Sequence, residues 1–164
     1  MILDTIFDRM LILATLLCTL NAGFLFAFAV VIMPGLKSLN DGEFIRAFQA
    51  IDGVIQRGQP LFILVWLGSA VALLIATILG FSRLDQPENG MLIIACIAYF
   101  IGIQISTVKF NIPLNNTLQK LDTLSASDTR LSEARADFEA SWNKWNKCRT
   151  LVAMGVSILL IIVV

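Results

Sequence analysis

Histidine does not occur in this chain of 164 residues. That removes the commonest ligand for zinc, copper, non-haem iron and haem, and the side chain that most often moves protons near neutral pH. No metal centre and no nucleophile–histidine pair is expected, and no glycine-rich phosphate loop is present. Charge is scarce as well. Charged residues make up 15% of the chain against 57% hydrophobic, where a soluble domain carries about 25% and about 45–50%. Twelve basic and twelve acidic residues cancel, so no field exists to gather nucleic acid. Cys18, Cys96 and Cys148 stand far apart without a CxxC pair, which excludes a disulfide framework and predicts buried free thiols. The segment Met1–Arg9 lacks the basic region of a leader peptide, so the first apolar run is expected to remain as an anchor.

What is present is apolar sequence in long runs. Mean hydropathy is +0.82, and 164 residues suffice for one domain. Met10–Met33, Leu61–Phe81 and Met91–Val108 are each long enough to cross a bilayer, which takes about 20 helical residues. Pro34-Gly35 is expected to close the first and Pro60 to open the second, with a tight turn over Asp85–Gly90 between the second and third. The fourth run, Leu151–Val164, contains fourteen residues. At about 1.5 Å per residue it covers roughly 21 Å of a core roughly 30 Å thick. Its span therefore starts near residue 147, which draws Arg149, Cys148 and Asn146 below the headgroups. The fold class expected is all-α: an integral-membrane, antiparallel bundle of four transmembrane helices at about 10–33, 61–81, 91–108 and 147–164.

Two polar connections join these spans. Phe44, Ile45, Phe48, Ile51, Val54 and Ile55 recur at helical spacing, predicting an amphipathic helix along the surface. The third connection is predicted helical over Asn115–Leu124 and again over Ser132–Lys147, with Ser132 as a cap. Ten of the twelve basic residues fall in or beside these two connections, leaving Arg9 and Arg83 at the other face. The positive-inside rule then puts both long connections in the cytoplasm, and a bacterial inner membrane is the expected location.

This topology brings Gln59, Gln104, Asn111, Asn115, Trp142, Asn146 and Arg149 toward one membrane face. Polar groups at membrane depth are costly unless paired or turned to a cavity, so each is a candidate. On a helix, Trp142, Trp145, Asn146 and Arg149 fall at i, i+3, i+4 and i+7, on one side. Arg149 can lie near the Trp145 ring and hydrogen-bond an amide or ligand oxygen. The alternative is an interfacial tryptophan belt with a snorkelling arginine. Pro113 is expected to break the third helix and push Ile112 toward extended backbone, with Asn111 and Asn115 capping the ends or pointing inward. Asn21 is read as an interhelical hydrogen-bonding residue, and Phe24 and Phe28 as one aromatic face. Asp52, Glu133, Asp137 and Glu139 lie outside the spans, which disfavours an ion-coupled transporter or exporter.

Met33-Pro34-Gly35-Leu36, Asn111-Ile112-Pro113-Leu114-Asn115 and Trp142–Thr150 resemble the anthrone oxygenase-like family of small membrane proteins, over essentially the whole chain. The resemblance implies oxidation of an anthrone to an anthraquinone. Carried over residue by residue, it assigns catalytic roles to Asn111, Asn115, Asn146 and Arg149. Trp142 and Trp145 of the same motif become substrate-binding residues, to which the shared membrane face adds Gln59 and Gln104, and the aromatic face of the first helix adds Phe28. An anthrone is acidic at carbon and its enolate can pass an electron to oxygen directly, so the scheme needs neither a cofactor nor a metal. The protein must hold the flat ring, stabilise the oxyanion and admit oxygen. The rival reading is a non-catalytic module that binds a lipid or quinone, or an accessory subunit of a membrane complex. Expected partners are membrane lipid and a hydrophobic small molecule, with a homo-oligomer or membrane-complex partner allowed.

Overall fold

The computed structural model describes residues 2–164, with side chains from Thr5 onward. Met1, where the reading of the N-terminal segment starts, lies outside the described residues. All regular structure among the described residues is helical, in five helices. Four are long and apolar enough to cross a membrane: α1 (Thr5–Lys37), α3 (Pro60–Gly80), α4 (Glu88–Gln119) and α5 (Asp128–Val163). The fifth, α2 (Asp41–Gln56), joins α1 to α3. This is an all-α integral-membrane fold.

The apolar residues divide into two sets, as membrane helices require. Leu16, Leu64, Ile78, Ile97, Ile101 and Ile158 face outward, where lipid rather than water makes them harmless. Inward, Ala14, Leu73, Ala76, Leu92, Ala95, Tyr99 and Leu160 form the main core. Helix α1 packs on α3 and α5, and α4 lies along α5. Gly102 permits the last approach, since a Cβ there would meet Val152 at 2.7 Å. Tyr99, the chain's single tyrosine, is fully buried and ties three helices together. Its hydroxyl receives the Asn21 amide at 3.0 Å and the Gln104 amide at 3.3 Å, and shares a hydrogen bond with Ser69.

Pro60 opens its span as expected, but Pro34 and Pro113 behave differently from the sequence expectation. Helix α1 does not stop at Pro34 but runs to Lys37, and α4 passes through Pro113 with Ile112 at φ −60°, ψ −46°. The reason is a stretch of wider π-helical turn before each proline. The Met33 amide donates to Phe28 and the Ile112 amide to Thr107, each five residues back. A widened turn makes room for the ring and absorbs the missing donor.

The third connection also differs. Helix α5 begins at Asp128, capped by Ser127, whose hydroxyl accepts from the Arg130 amide at 3.3 Å; Ser132 is inside the helix. Helix α5 then continues unbroken to Val163.

Helix α2 lies against α5. It is capped at both residues of a capping box, Asn40 and Glu43. Its apolar face, with Phe44, Ile45 and Phe48 almost fully buried, packs on Phe138, Trp142, Leu131 and Leu118 instead of on lipid. Arg135 of α5 fixes the join. It donates to the Leu39 carbonyl at 2.8 Å and the Lys37 carbonyl at 3.1 Å, pairs with Asp41 and Glu139, and covers the Phe44 ring at 4.4 Å. The second core so formed closes one end of the membrane helices.

Candidate functional site

Between the two cores lies a cavity of about 140 Å³ to which all five helices contribute. Six of its lining residues are aromatic. Phe24 and Phe28 of α1 meet at 5.0 Å between ring centres, Phe24 meets Phe62 of α3 at 5.2 Å, and Trp142 of α5 lies 5.5 Å from both Phe28 and Phe48. Trp66 continues the wall, its ring nearly parallel to Phe62. An adjoining groove of about 570 Å³ runs between α1, α2 and α3 and shares Asn21, Phe24, Ile55 and Phe62 with the cavity. The cavity alone is smaller than the roughly 300–1,000 Å³ of ordinary small-molecule sites; with the groove it reaches that range.

Seven polar side chains share this lining: Asn21, Asp52, Thr107, Asn111, Asn115, Asn146 and Arg149. Arg149 is 5% exposed, so it does not snorkel. Its Nη1 donates to Thr107 Oγ1 at 2.7 Å and its Nη2 to Asn146 Oδ1 at 3.2 Å, while its Nε meets no protein acceptor. No carboxylate pairs with it among the described residues. A guanidinium has five N–H donors, and holding one at depth without a counter-charge costs several kcal/mol. Asn111 is 2% exposed and neither of its amide atoms has a hydrogen-bond partner. Each such group costs about 1–3 kcal/mol. Both residues line the cavity and both have unused hydrogen-bonding capacity.

Asn146 and Asn115, by contrast, are hydrogen-bonded at both ends of the amide. Asn146 donates to the Leu25 carbonyl at 3.2 Å while accepting from Arg149, so it orients the guanidinium. Asn115 accepts from Trp142 Nε1 at 2.8 Å and donates to Asp52 at 2.7 Å. It thereby aligns the tryptophan ring with a carboxylate that the sequence reading had set aside. Asp52 is 3% exposed, and its oxygens also receive Gln56 at 2.7 Å and Gln119 at 2.9 Å. It lies outside the spans, yet α2 folds over the cavity and turns it inward. A signal existed in the sequence: Phe48, Asp52 and Ile55 fall at i, i+4 and i+7, an acid on the apolar face of its helix.

Three expected contact residues lie elsewhere. Trp145 is set about 100° around the helix from Asn146, and it stacks on Phe110 with ring centres 3.5 Å apart, away from Arg149 and the cavity. Gln104 is spent on Tyr99 and the Trp66 carbonyl, behind the wall. Gln59 caps α3, accepting from the Phe62 amide at 2.5 Å, and reaches only the adjoining groove. The preceding Gly58 takes φ +80°, the left-handed turn that lets α2 fold back there. The thiol expectation holds for Cys18 and Cys96, whereas Cys148 points outward from α5 and is exposed. Among the described residues, no group of three or more Cys, Asp or Glu side chains is placed to hold a metal ion.

The arrangement is thus a cavity edged by rings mostly tilted to one another, with a buried cation and an amide that keep unused hydrogen-bonding capacity, and with one carboxylate in its lining. No curated protein and no solved structure matches the chain. The model of the anthrone oxygenase family matches residues 52–159, which is more than half of the chain and includes Asp52, Asn111, Asn115, Trp142, Asn146 and Arg149. This membrane protein therefore belongs to the anthrone oxygenase family.

Proposed function

We propose that the protein is a cofactor-free oxygenase that converts an anthrone-like hydrophobic aromatic to the corresponding quinone within this cavity. The observation that carries the reading is Arg149, buried without a counter-ion, with Nε unpaired, in a cavity also lined by the unpaired Asn111 amide. Together they form a cradle for an aryl oxyanion. Preorganised donors stabilise developing charge most where water is excluded.

The chemistry balances without an added reductant. Loss of a benzylic proton gives an enolate whose charge rests on the former carbonyl oxygen. Transfer of one electron to O₂ and recombination form a carbon–oxygen bond. The resulting hydroperoxide loses water to leave a second carbonyl, so anthrone and O₂ become anthraquinone and water. In this scheme Trp142, Phe28 and Phe62 form an apolar wall against the rings, Asn146 and Thr107 hold Arg149 in place, and Asn115 orients Trp142. The groove between α1, α2 and α3 gives a hydrophobic substrate a route in from the bilayer. The two long connections, which carry most of the basic residues, are assigned to the cytoplasmic side of a bacterial inner membrane.

Purified protein supplied with anthrone in aerated detergent should consume O₂ and produce anthraquinone above the spontaneous rate. Arg149→Met should return that rate to background. Binding without turnover in the wild type would favour the rival, a lipid- or quinone-binding module using the same apolar groove.

A further inference from the structure

We infer that Asp52 is the catalytic base that removes the substrate's benzylic proton; this rests on the oxygenase reading. Oxyanion stabilisation by Arg149 and Asn111 lowers the energy of an enolate but gives the departing proton nowhere to go. An acceptor must line the same cavity. Asp52 is the only carboxylate among the cavity's lining residues, and Arg149 the only cation.

Its environment suits an acceptor. The three contacts to its oxygens, from Gln56, Asn115 and Gln119, are all donated by neutral amides. That is the pattern of an ionised carboxylate, which accepts at about four positions and donates at none. No cation pairs with it among the described residues, so no ion pair must break when it takes a proton. Three amides fix its orientation and leave acceptor capacity for a fourth contact. Asn115, through its second bond to Trp142, sets that carboxylate relative to a ring of the aromatic wall.

In the step itself, the benzylic C–H bond breaks, its proton passes to a carboxylate oxygen of Asp52, and the electron pair spreads to the oxygen held by Arg149. When oxygen has added, the peroxide anion takes the proton back. Asp52 is regenerated and no further reactant is needed. Base and cation come from different helices, α2 and α5, so closure of α2 over the membrane helices completes the site.

The test is solvent exchange under argon, where oxidation cannot proceed. Wild-type protein in deuterated buffer should accelerate deuterium uptake at the benzylic carbon of anthrone. Asp52→Asn should slow it about 10²–10⁴-fold, the usual contribution of a positioned base, while anthraquinone still quenches the fluorescence of Trp66 and Trp142. At a pH where anthrone is already ionised, the oxidation defect of Asp52→Asn should shrink, and that of Arg149→Met should persist. A structural role for Asp52 would not produce this difference. Exchange within a few-fold of wild type in Asp52→Asn would overturn the inference while leaving the oxygenase reading intact. No exchange and no oxidation by the wild type would overturn both. Should Asp52→Asn lose anthraquinone binding, Asp52→Ala with added formate decides: restored exchange supports the inference, and its absence with binding intact overturns it.

Discussion

Replacing Asn111 with leucine should make the protein more stable and less useful. The two side chains are similar in size, and neither amide atom of Asn111 has a partner in its 2%-exposed position. Leucine removes a desolvation cost of about 1–3 kcal/mol for each unpaired group. Because the two atoms share one small amide, we take a gain of about 1–3 kcal/mol for the pair. At this chain length each kcal/mol corresponds to a Tm change of about 2–4 °C, so a rise of several degrees is expected. Asn146→Leu supplies the opposite control. Its amide is bonded at both ends, to the Leu25 carbonyl and to Arg149. Losing it strands a carbonyl and deprives a buried guanidinium of one acceptor, so stability should fall by about 2–4 kcal/mol. The assay is thermal unfolding of both variants in the same detergent, followed by intrinsic fluorescence, together with anthrone turnover. Opposite signs of ΔTm with loss of turnover in both are expected. A destabilised Asn111→Leu that keeps its activity would refute the view that Asn111 is held unpaired for a ligand.

Further expectations follow from the same geometry. Trp142→Phe keeps the ring but removes Nε1, leaving Asn115 Oδ1 unpaired; stability should fall by about 1–3 kcal/mol, and turnover should fall with KM rising as the carboxylate network loosens. Arg135→Gln should loosen α2 from α5, since that one side chain holds two carbonyls and two carboxylates; faster amide hydrogen exchange confined to α2 would show it, and unchanged exchange would count against the join described. Val54→Trp, in the groove outside the cavity wall, should raise KM for anthrone with little change in kcat, whereas equal kinetics would rule out entry by that route.

The membrane fold was readable from the sequence because about 20 apolar residues in a row have few other uses. The short fourth apolar run speaks only to the depth of Arg149 in a bilayer; its burial comes from packing against Thr107 and Asn146, which the run length does not encode. Asn111 and Trp142 followed from the topology, which sends those helix ends to one face. What could not be read depends on contacts between distant segments. Pro34 and Pro113 signal helix ends by local chemistry, yet each is preceded by a widened turn that lets the helix continue. Trp145 shares its side of α5 with Arg149 by spacing alone, but Phe110 of α4 captures its ring. Asp52 was masked because an acid outside a span reads as solvent-facing until α2 is known to fold over the cavity. Gln59 and Gln104 have the same amide as Asn111, and only tertiary structure separates one that caps a helix, one that buttresses a wall, and one left open.

On the oxygenase reading, this cavity stabilises an aryl oxyanion through Arg149. An O₂-stable hydroxyanthraquinone tests it most directly, because its neutral and ionised forms absorb at different visible wavelengths. At a pH where the free compound is neutral, the ligand bound to wild-type protein should show the phenolate spectrum, since a cation at close range favours the charged form. Bound to Arg149→Met, it should show the neutral spectrum. A neutral spectrum in the wild type, or a phenolate spectrum that survives Arg149→Met, would contradict the account.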